Sequence, residues 1–381
     1  WKMMYSDISQ DLTVPPPGLM SAPRSVDIAL TGRCNLRCKY CFYADEMTHL
    51  SDLPTERWLA FFEELGELAV QRVTLTGGEL FTRPDLFQLI DSIIANRMRY
   101  TILSNGTLIT EKVLAQFEVG KRRLRLDLIQ VSIDGSRAEI HNKSRPNSFE
   151  RALRGLRLLV ENGFPATVRV TINRHNVDDL ENTARLLLED VGLPGFSTNE
   201  AYLMGSGKCP GESVILTRDQ RQQAMDTLMA LNERYGGRIS ALAGPLALAR
   251  EFADIEARMA RGETEMPGCG KLTSCGGVFK QLGIQHDGTI VPCHLLSALP
   301  MGVIGVDSLQ EAWLHHPAIN TIRQRRSIPI RSLPTCRDCP YAGFCTGGCP
   351  GTVMSITGEL NARDPMSCYR IHRGEDPYDT L

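Results

Sequence analysis

Between residues 25 and 235 the chain alternates short apolar, β-rich runs with longer amphipathic stretches. The runs at 25–30, 72–76, 100–104, 128–133, 167–172 and 196–204 have the length and composition of strands. Each is followed by a stretch with apolar positions at helical spacing, as over 55–68, 83–95 and 149–162. In the last, Phe149, Leu153, Leu156 and Val160 share a face, and Asn162-Gly163 ends it with a residue for which a left-handed turn costs little. Six strand–helix units in series predict a parallel α/β array, either an open sheet or a partial barrel, with its chemistry at the carboxyl ends of the strands. After 235 the pattern changes. Residues 240–261 are rich in Ala and Leu and predict a helix. From 267 onward Gly, Pro and Cys crowd together, and periodic stretches are too few to build a core unaided. Within that segment 283–293 reads as a hairpin turning at Asp287-Gly288, which delivers Cys293 from its second strand.

Composition narrows the classes. With 42% hydrophobic and 23% charged residues the chain is a folded protein, not a disordered or coiled-coil one. No apolar run reaches the roughly 18 residues of a membrane span. The formal charge of −2 gives no pull toward nucleic acid or an anionic membrane. The oddity is 12 cysteines. A chain this long needs no disulfide staples, and its first residues lack a signal-peptide pattern, so a reducing, cytoplasmic compartment is expected, where clustered thiols bind metal. Cys34, Cys38 and Cys41 are spaced C-x3-C-x2-C, and Cys336, Cys339, Cys345 and Cys349 are spaced C-x2-C-x5-C-x3-C. Cys269 and Cys275 have five residues between them, Cys293 and Cys368 stand alone, and Cys209 joins no group. The first cluster lies on the loop after the first strand. Its three thiols, where a closed zinc or [4Fe–4S] site takes four ligands, leave a position open. A zinc site completed by a distant residue such as His49 is the alternative there, and zinc ribbons are the alternative for the later cysteines.

The loop Cys34-Asn35-Leu36-Arg37-Cys38-Lys39-Tyr40-Cys41 resembles that of the radical S-adenosylmethionine (SAM) family, with Tyr40 as the aromatic before the last cysteine. Further resemblances follow in order over residues 25–235. Gly77-Gly78-Glu79 follows the second strand, Ser104-Asn105-Gly106 the third and Ser132-Ile133-Asp134-Gly135 the fourth. The resemblance implies a partial (β/α)6 TIM-like barrel. In that family three thiolates hold a [4Fe–4S] cluster, SAM chelates the fourth iron, and one electron releases a 5′-deoxyadenosyl radical that abstracts hydrogen. It implies that Gly77, Gly78 and Glu79 receive the SAM amino group, and that Ser104, Asn105, Ser132 and Asp134 contact its ribose and methionyl parts. Arg145 is expected to pair with its carboxylate and Val170, with Ile172, to face adenine. The segment 202–207 is expected near the adenosyl group.

The later cysteines resemble the family's SPASM extension, a small cysteine-rich domain with two auxiliary [4Fe–4S] clusters. The resemblance implies Cys269, Cys275, Cys293 and Cys349 for one and Cys336, Cys339, Cys345 and Cys368 for the other, making three clusters in all. The expected domains are an N-terminal extension (1–24), the barrel (25–235), a helical bridge (236–266) and the SPASM domain (267–381). SPASM-bearing relatives mostly act on peptides, so the expected activity is oxidative modification of a ribosomally made precursor peptide, by crosslink, thioether, excision or epimerisation. Sulfatase maturation and tetrapyrrole tailoring remain alternatives; the maturases carry Asp where this chain has His294. A non-catalytic zinc or iron–sulfur electron carrier is the other class. His294 and Glu200 are the candidate bases by position. The basic runs 121–125 and 323–326 are solvated helix faces or a landing surface for an acidic leader. With 33 residues ahead of Cys34, leader recognition is expected from a separate protein or a further N-terminal part. A flavodoxin or ferredoxin is the expected reductant.

Overall fold

A computed structural model describes residues 15–209 and 213–378. Contacts divide the chain into two units. One comprises Ile28–Glu63 and Gln71–Asp254; the other gathers the segment ending at Asp27, Glu64–Val70 and the chain from Ile255 onward.

The first unit is built on β1 (Ser25–Thr31), β2 (Arg72–Gly77), β3 (Arg99–Ser104), β4 (Leu126–Ser132), β5 (Ala166–Ile172), β6 (Phe196–Glu200) and β7 (Ile239–Ala241). They lie side by side in sequence order, and β2 through β7 pair in parallel. Sequential order with helical crossovers is the winding of an open β/α barrel rather than of a doubly wound sheet. The expected helices form as Thr55–Glu67, Leu86–Ala95 and Phe149–Glu161. In the last, Phe149, Leu153, Leu156 and Leu159 are buried, and Gly163 makes the stop at φ +66°. Two elements differ from expectation. β7 lies in the stretch read as a helical bridge, because three residues carry no period; the helix there is Pro245–Ala260. β6 stops at Glu200, not 204. The chain turns at Gly205 (φ +49°), where a Cβ would stand 2.2 Å from the Cys41 carbonyl oxygen, a tertiary contact that periodicity does not report.

The sheet has two chemically distinct faces. Val131 faces the helix Phe149–Glu161, since a Cβ on Gly106 would meet both Val131 and Ala152. Register pairs Val131 with Val168, so alternation puts Val168, Val170 and Ile172 on the same helix-covered face, each no more than 1% exposed. The opposite, lumen face carries Gln130, Ser132, Thr167, Arg169, Thr171, Ser197 and Asn199. It is polar almost throughout, as suits a wall lining a ligand rather than a core.

The second unit has little regular structure. Its hairpin pairs β8 (Gln281–Ile284) with β9 (Ile290–Val291), antiparallel, turning through Gly288 at φ +90°. Helices Leu309–His315, Pro317–Gln324 and Pro350–Thr357 surround Trp313, Ile319, Phe344 and Val353, all buried. Of the N-terminal extension expected over 1–24, residues 1–14 lie outside the described residues. Its described part is tied to this unit: the Trp313 indole donates to the Met20 carbonyl (2.7 Å) and Arg24 N–H to the Lys280 carbonyl (2.8 Å). The contact division falls between 254 and 255, inside the helix Pro245–Ala260. No helix among the described residues is long and apolar enough to cross a membrane.

Candidate functional site

The first cysteine cluster sits on the loop leaving β1. Asp52 pins the loop's start, accepting from the Thr31 hydroxyl (2.6 Å) and Gly32 N–H (2.7 Å). The end of β2 clasps it from the other side. Gly78 N–H donates to the Thr31 carbonyl (2.7 Å) and Glu79 N–H to the Arg33 carbonyl (2.8 Å). A Cβ on Gly77 would lie 2.4 Å from the Thr31 oxygen, and one on Gly78 2.2 Å from the Arg33 oxygen. The two glycines therefore serve the approach of backbone to the cysteine loop.

The Cys34, Cys38 and Cys41 thiols lie within electrostatic reach of one another. Burial, then mutual repulsion, pushes Cys41 up to about 11; burial also raises Cys34 and Cys38. Such thiols keep their protons unless a cation replaces them, which is what a ligated iron does. No three His, Cys, Asp or Glu side chains among the described residues converge as a single metal ion requires. Thiolates are the ligands that an iron–sulfur cluster takes. The donor set fits a cluster.

Glu79 is fully buried, and its carboxylate accepts three hydrogen bonds. Ser104 Oγ donates to Oε1 (2.9 Å), Phe81 N–H to Oε1 (3.3 Å) and Asn105 N–H to Oε2 (2.7 Å). The side chain binds the end of β2 to the end of β3. The Asn105 amide donates to Asn35 Oδ1 (2.9 Å) and so holds the cysteine loop. Asn35 and Thr107, bonded at 2.8 Å, complete this brace; they were missed because no motif singles them out.

Asp134 organises a second buried knot. Its Oδ2 accepts from Arg145 Nε (2.7 Å) and the Tyr40 hydroxyl, and its Oδ1 from Thr171 N–H (2.8 Å). Arg145 Nε also donates to Tyr40 Oη (2.7 Å), and Arg145 Nη1 reaches Cys38 Sγ at 3.7 Å. Asp134 thus engages both its oxygens within the knot, and Arg145 engages its Nε there, with its Nη groups on the side of Cys38. Burial pushes the Tyr40 phenol well up, so it remains a donor. His141, unnoticed in the sequence, braces this knot. Its Nδ1 accepts from Asp134 N–H (3.0 Å), which puts the ring proton on Nε2, donating to Ser148 Oγ (2.9 Å); Ser148 in turn donates to the Arg145 carbonyl (2.7 Å). Burial pushes His141 down to about 4, keeping it neutral.

Ser132 lies on the lumen face, beside Arg169 in register. Val170 does not: it is on the helix face with Ile172, so neither lines the lumen. Arg169, on the lumen face, has a buried Nε without a hydrogen-bond partner among the described residues. The segment 202–207 folds onto the cysteine loop, with Ser206 N–H donating to the Cys41 carbonyl (3.0 Å). Beside that loop is an open cleft of about 580 Å³ lined by Cys34, Asn35, Arg37, Asn147 and Arg151.

Both candidate bases are bonded to neighbours in this structure. Glu200 is held by Arg221 through Nε (3.0 Å) and Nη2 (2.7 Å), both oriented on its carboxylate. His294 donates from Nε2 to the Asp27 carbonyl (3.2 Å), and burial pushes it down to about 4, too weak a base to hold a proton at neutral pH. In the basic runs too, arginines are held within the fold. Arg122 is bound by Asp91 at 2.7 and 2.8 Å, and Arg123 stacks over Phe164 at 4.3 Å. Arg323 and Arg325 are 2% and 1% exposed, so neither presents a charge at the surface, whereas Arg326 is exposed.

In the second unit the hairpin delivers Cys293 beside Cys275 and Cys349; burial first, and these neighbours next, push it up to about 12. Cys336, Cys339 and Cys368 form another group. Cys345 shares the Cys336–Cys349 segment and accepts from Gly347 N–H (3.3 Å), while Gly270 N–H, next to Cys269, donates to the Cys345 carbonyl (2.9 Å). Cys209 is exposed in its loop.

Residues 28–187 match the Radical SAM superfamily, and residues 275–340 match SPASM, an iron–sulfur cluster-binding domain. The chain is a radical SAM enzyme with a SPASM domain. Iron–sulfur clusters and SAM are its cofactors. Among relatives of this radical SAM–SPASM protein is an AdoMet-dependent heme synthase of Methanosarcina barkeri, 25% identical over 92% of this chain and 98% of that protein. A PqqA peptide cyclase of Ruegeria pomeroyi is 27% identical over 93% of this chain and 88% of its own length. The structure of Streptococcus suis SuiB bound to precursor peptide SuiA superposes with a TM-score of 0.70, at 14% identity over 92% of this chain and 77% of SuiB, and shows a shared fold.

Proposed function

We propose that this enzyme oxidatively modifies a ribosomally made precursor peptide. The observation that carries the reading is the match to PqqA peptide cyclases over nearly the whole of both domains. The lumen supports it: Gln130, Ser132, Thr167, Ser197 and Asn199 offer a wall of hydrogen-bonding groups to a polypeptide backbone.

Cys34, Cys38 and Cys41 would hold the SAM-binding cluster. Cys269, Cys275, Cys293 and Cys349 would hold one auxiliary cluster and Cys336, Cys339, Cys345 and Cys368 the other, three in all. The bound cluster and SAM supply reductive cleavage of the sulfonium and hydrogen-atom abstraction. The chain's own residues shape where this happens. Gly77 and Gly78 seat the cysteine loop, Asn35 and Asn105 lock it to β3, and the Asp134–Arg145–Tyr40 knot stiffens the loop beside Cys38. Arg169 presents a guanidinium on the lumen face to an anionic group of SAM or substrate. Arg37 and Arg151 make the cleft beside Cys34 cationic, an approach for an acidic flavodoxin or ferredoxin. A separate protein would recognise the leader, and a reducing cytoplasm would keep the thiols available.

The heme synthase relative, matched along 98% of its length, supports a tetrapyrrole as the second reading. The test gives anaerobically reconstituted, reduced enzyme SAM and two probes: the short peptide encoded nearest its gene, and iron coproporphyrin. Expected are 5′-deoxyadenosine and a mass shift in the peptide, both abolished by Cys38→Ala. A shift in the porphyrin alone overturns the peptide reading. Equal 5′-deoxyadenosine from wild type and Cys38→Ala overturns the radical reading.

A further inference from the structure

Among the basic residues of 323–326, the three arginines are satisfied very differently. Arg323, on the helix Pro317–Gln324, donates to the carbonyls of Val278 (2.9 Å) and Trp313 (2.6 Å) and stacks over the Trp313 ring at 4.3 Å. Arg326 stacks over Phe279 at 4.1 Å and reaches the Cys275 carbonyl at 3.4 Å. Arg325, on the turn between them, is 1% exposed, and Nε, Nη1 and Nη2 all lack a hydrogen-bond partner among the described residues. A guanidinium has five N–H donors and does not give up its charge. Burying it with none of them used is among the costliest arrangements a fold can hold, unless a counter-charge belongs there.

Its surroundings identify that counter-charge. The acidic groups that act on Arg325 are Cys275, Cys349 and Asp364. Asp364 is already committed: it accepts from Cys349 N–H (3.1 Å), the Ser367 hydroxyl (2.7 Å) and Met366 N–H (2.9 Å). What remains is the thiol group of Cys275, Cys349 and their neighbour Cys293. A cluster ligated by thiolates carries net negative charge, its sulfurs accept hydrogen bonds, and such bonds raise its reduction potential.

We propose that Arg325 is the guanidinium partner of the iron–sulfur cluster at Cys275, Cys293 and Cys349, donating N–H groups to its sulfurs and raising its reduction potential. This rests on the reading that those cysteines hold a cluster. Arg325 is a positioning residue: it touches no substrate, and its consequence is that this cluster becomes the readier of the two auxiliary clusters to take up an electron. Nothing in the sequence distinguishes it from its neighbours. Both Arg323 and Arg325 are buried; what separates them is that Arg323 has acceptors for Nε and Nη1, whereas Arg325 has none among the described residues.

The test is an anaerobic redox titration of the reconstituted full chain, followed by electron paramagnetic resonance, with iron and sulfide counted in each sample. In Arg325→Met, one cluster's reduced-to-oxidised ratio at fixed potential is expected to fall about tenfold, a downward shift of about 59 mV for one electron, with the other clusters unmoved. Arg325→Lys, which keeps the charge but loses the fork, is expected to fall between wild type and Met. Should Arg325→Met fail to fold or to hold the cluster, Arg325→Lys decides: a shifted potential supports the proposal and an unshifted one overturns it. Wild-type potentials in both iron-replete variants also overturn it, leaving Arg325 a packing residue. The underlying reading is checked apart from this by Cys275→Ala. Loss of one cluster's iron sustains that reading, and unchanged iron refutes it whatever Arg325 does.

Discussion

Asp134→Ala would take the carboxylate out of a knot where, among the described residues, it is the anion bonded to Arg145 at Nε. Asp134 is fully buried and the Arg145 side chain is 12% exposed, so water does little to replace the lost partner. Removing one member of a buried ion pair costs about 3–5 kcal/mol, mostly because the surviving charge is stranded. The Thr171 N–H also loses its acceptor, which adds about 1 kcal/mol. Arg145→Met leaves the carboxylate with the Tyr40 hydroxyl and Thr171 N–H and should cost less. In the double variant neither charge is stranded. The coupling from the double-mutant cycle is then expected at about 2–3 kcal/mol. Urea unfolding of the anaerobic holoprotein, monitored by circular dichroism with iron counted before each titration, measures it. Additive losses, or a loss below about 1 kcal/mol for Asp134→Ala, would refute the buried-pair reasoning and return Asp134 to the pool of ligand contacts.

Gly78→Ala places a methyl group 2.2 Å from the Arg33 carbonyl oxygen and 3.1 Å from Cys34 Cβ. Since the backbone must shift, the variant should lose one cluster's iron and 5′-deoxyadenosine formation while the second unit's clusters persist; full iron retention would show that the loop yields. His141, held at about 4 against an ordinary value near 6.5, gives a pH effect of definite sign. Above pH 6.5 it is neutral folded or unfolded and contributes nothing. As pH falls from 6.5 toward 4 only the unfolded chain takes the proton, so stability drops by up to about 3 kcal/mol. Unfolding free energies of wild type and His141→Gln across that range should converge at low pH, and parallel curves would contradict the assignment.

The sequence by itself determined the layout of the chemistry. Strand-length apolar runs between helical periods announced a parallel α/β array, because burial imposes period 2 or 3.6 on any chain that folds this way, and the family resemblance pointed to a barrel. Cysteine spacing within a few residues announced the cluster sites, because so short a loop must bring its thiols together. Tertiary structure decided which polar side chains face a ligand and which hold the scaffold. Glu79 and Asp134 look like ligand contacts in sequence, and the fold shows that both also brace the scaffold, Glu79 at Ser104 and Asn105 and Asp134 at Tyr40, Arg145 and Thr171. Val170 and Arg169 differ by one position, and only the register with Val131 and Ser132 puts the arginine on the lumen face. Arg325 reads as one more charge in a basic run until burial strips it of solvent. Hydrogen-bond partners 30 to 100 residues apart leave no periodic trace, so a single sequence carries the residue types that a site needs but not the pairings that commit them.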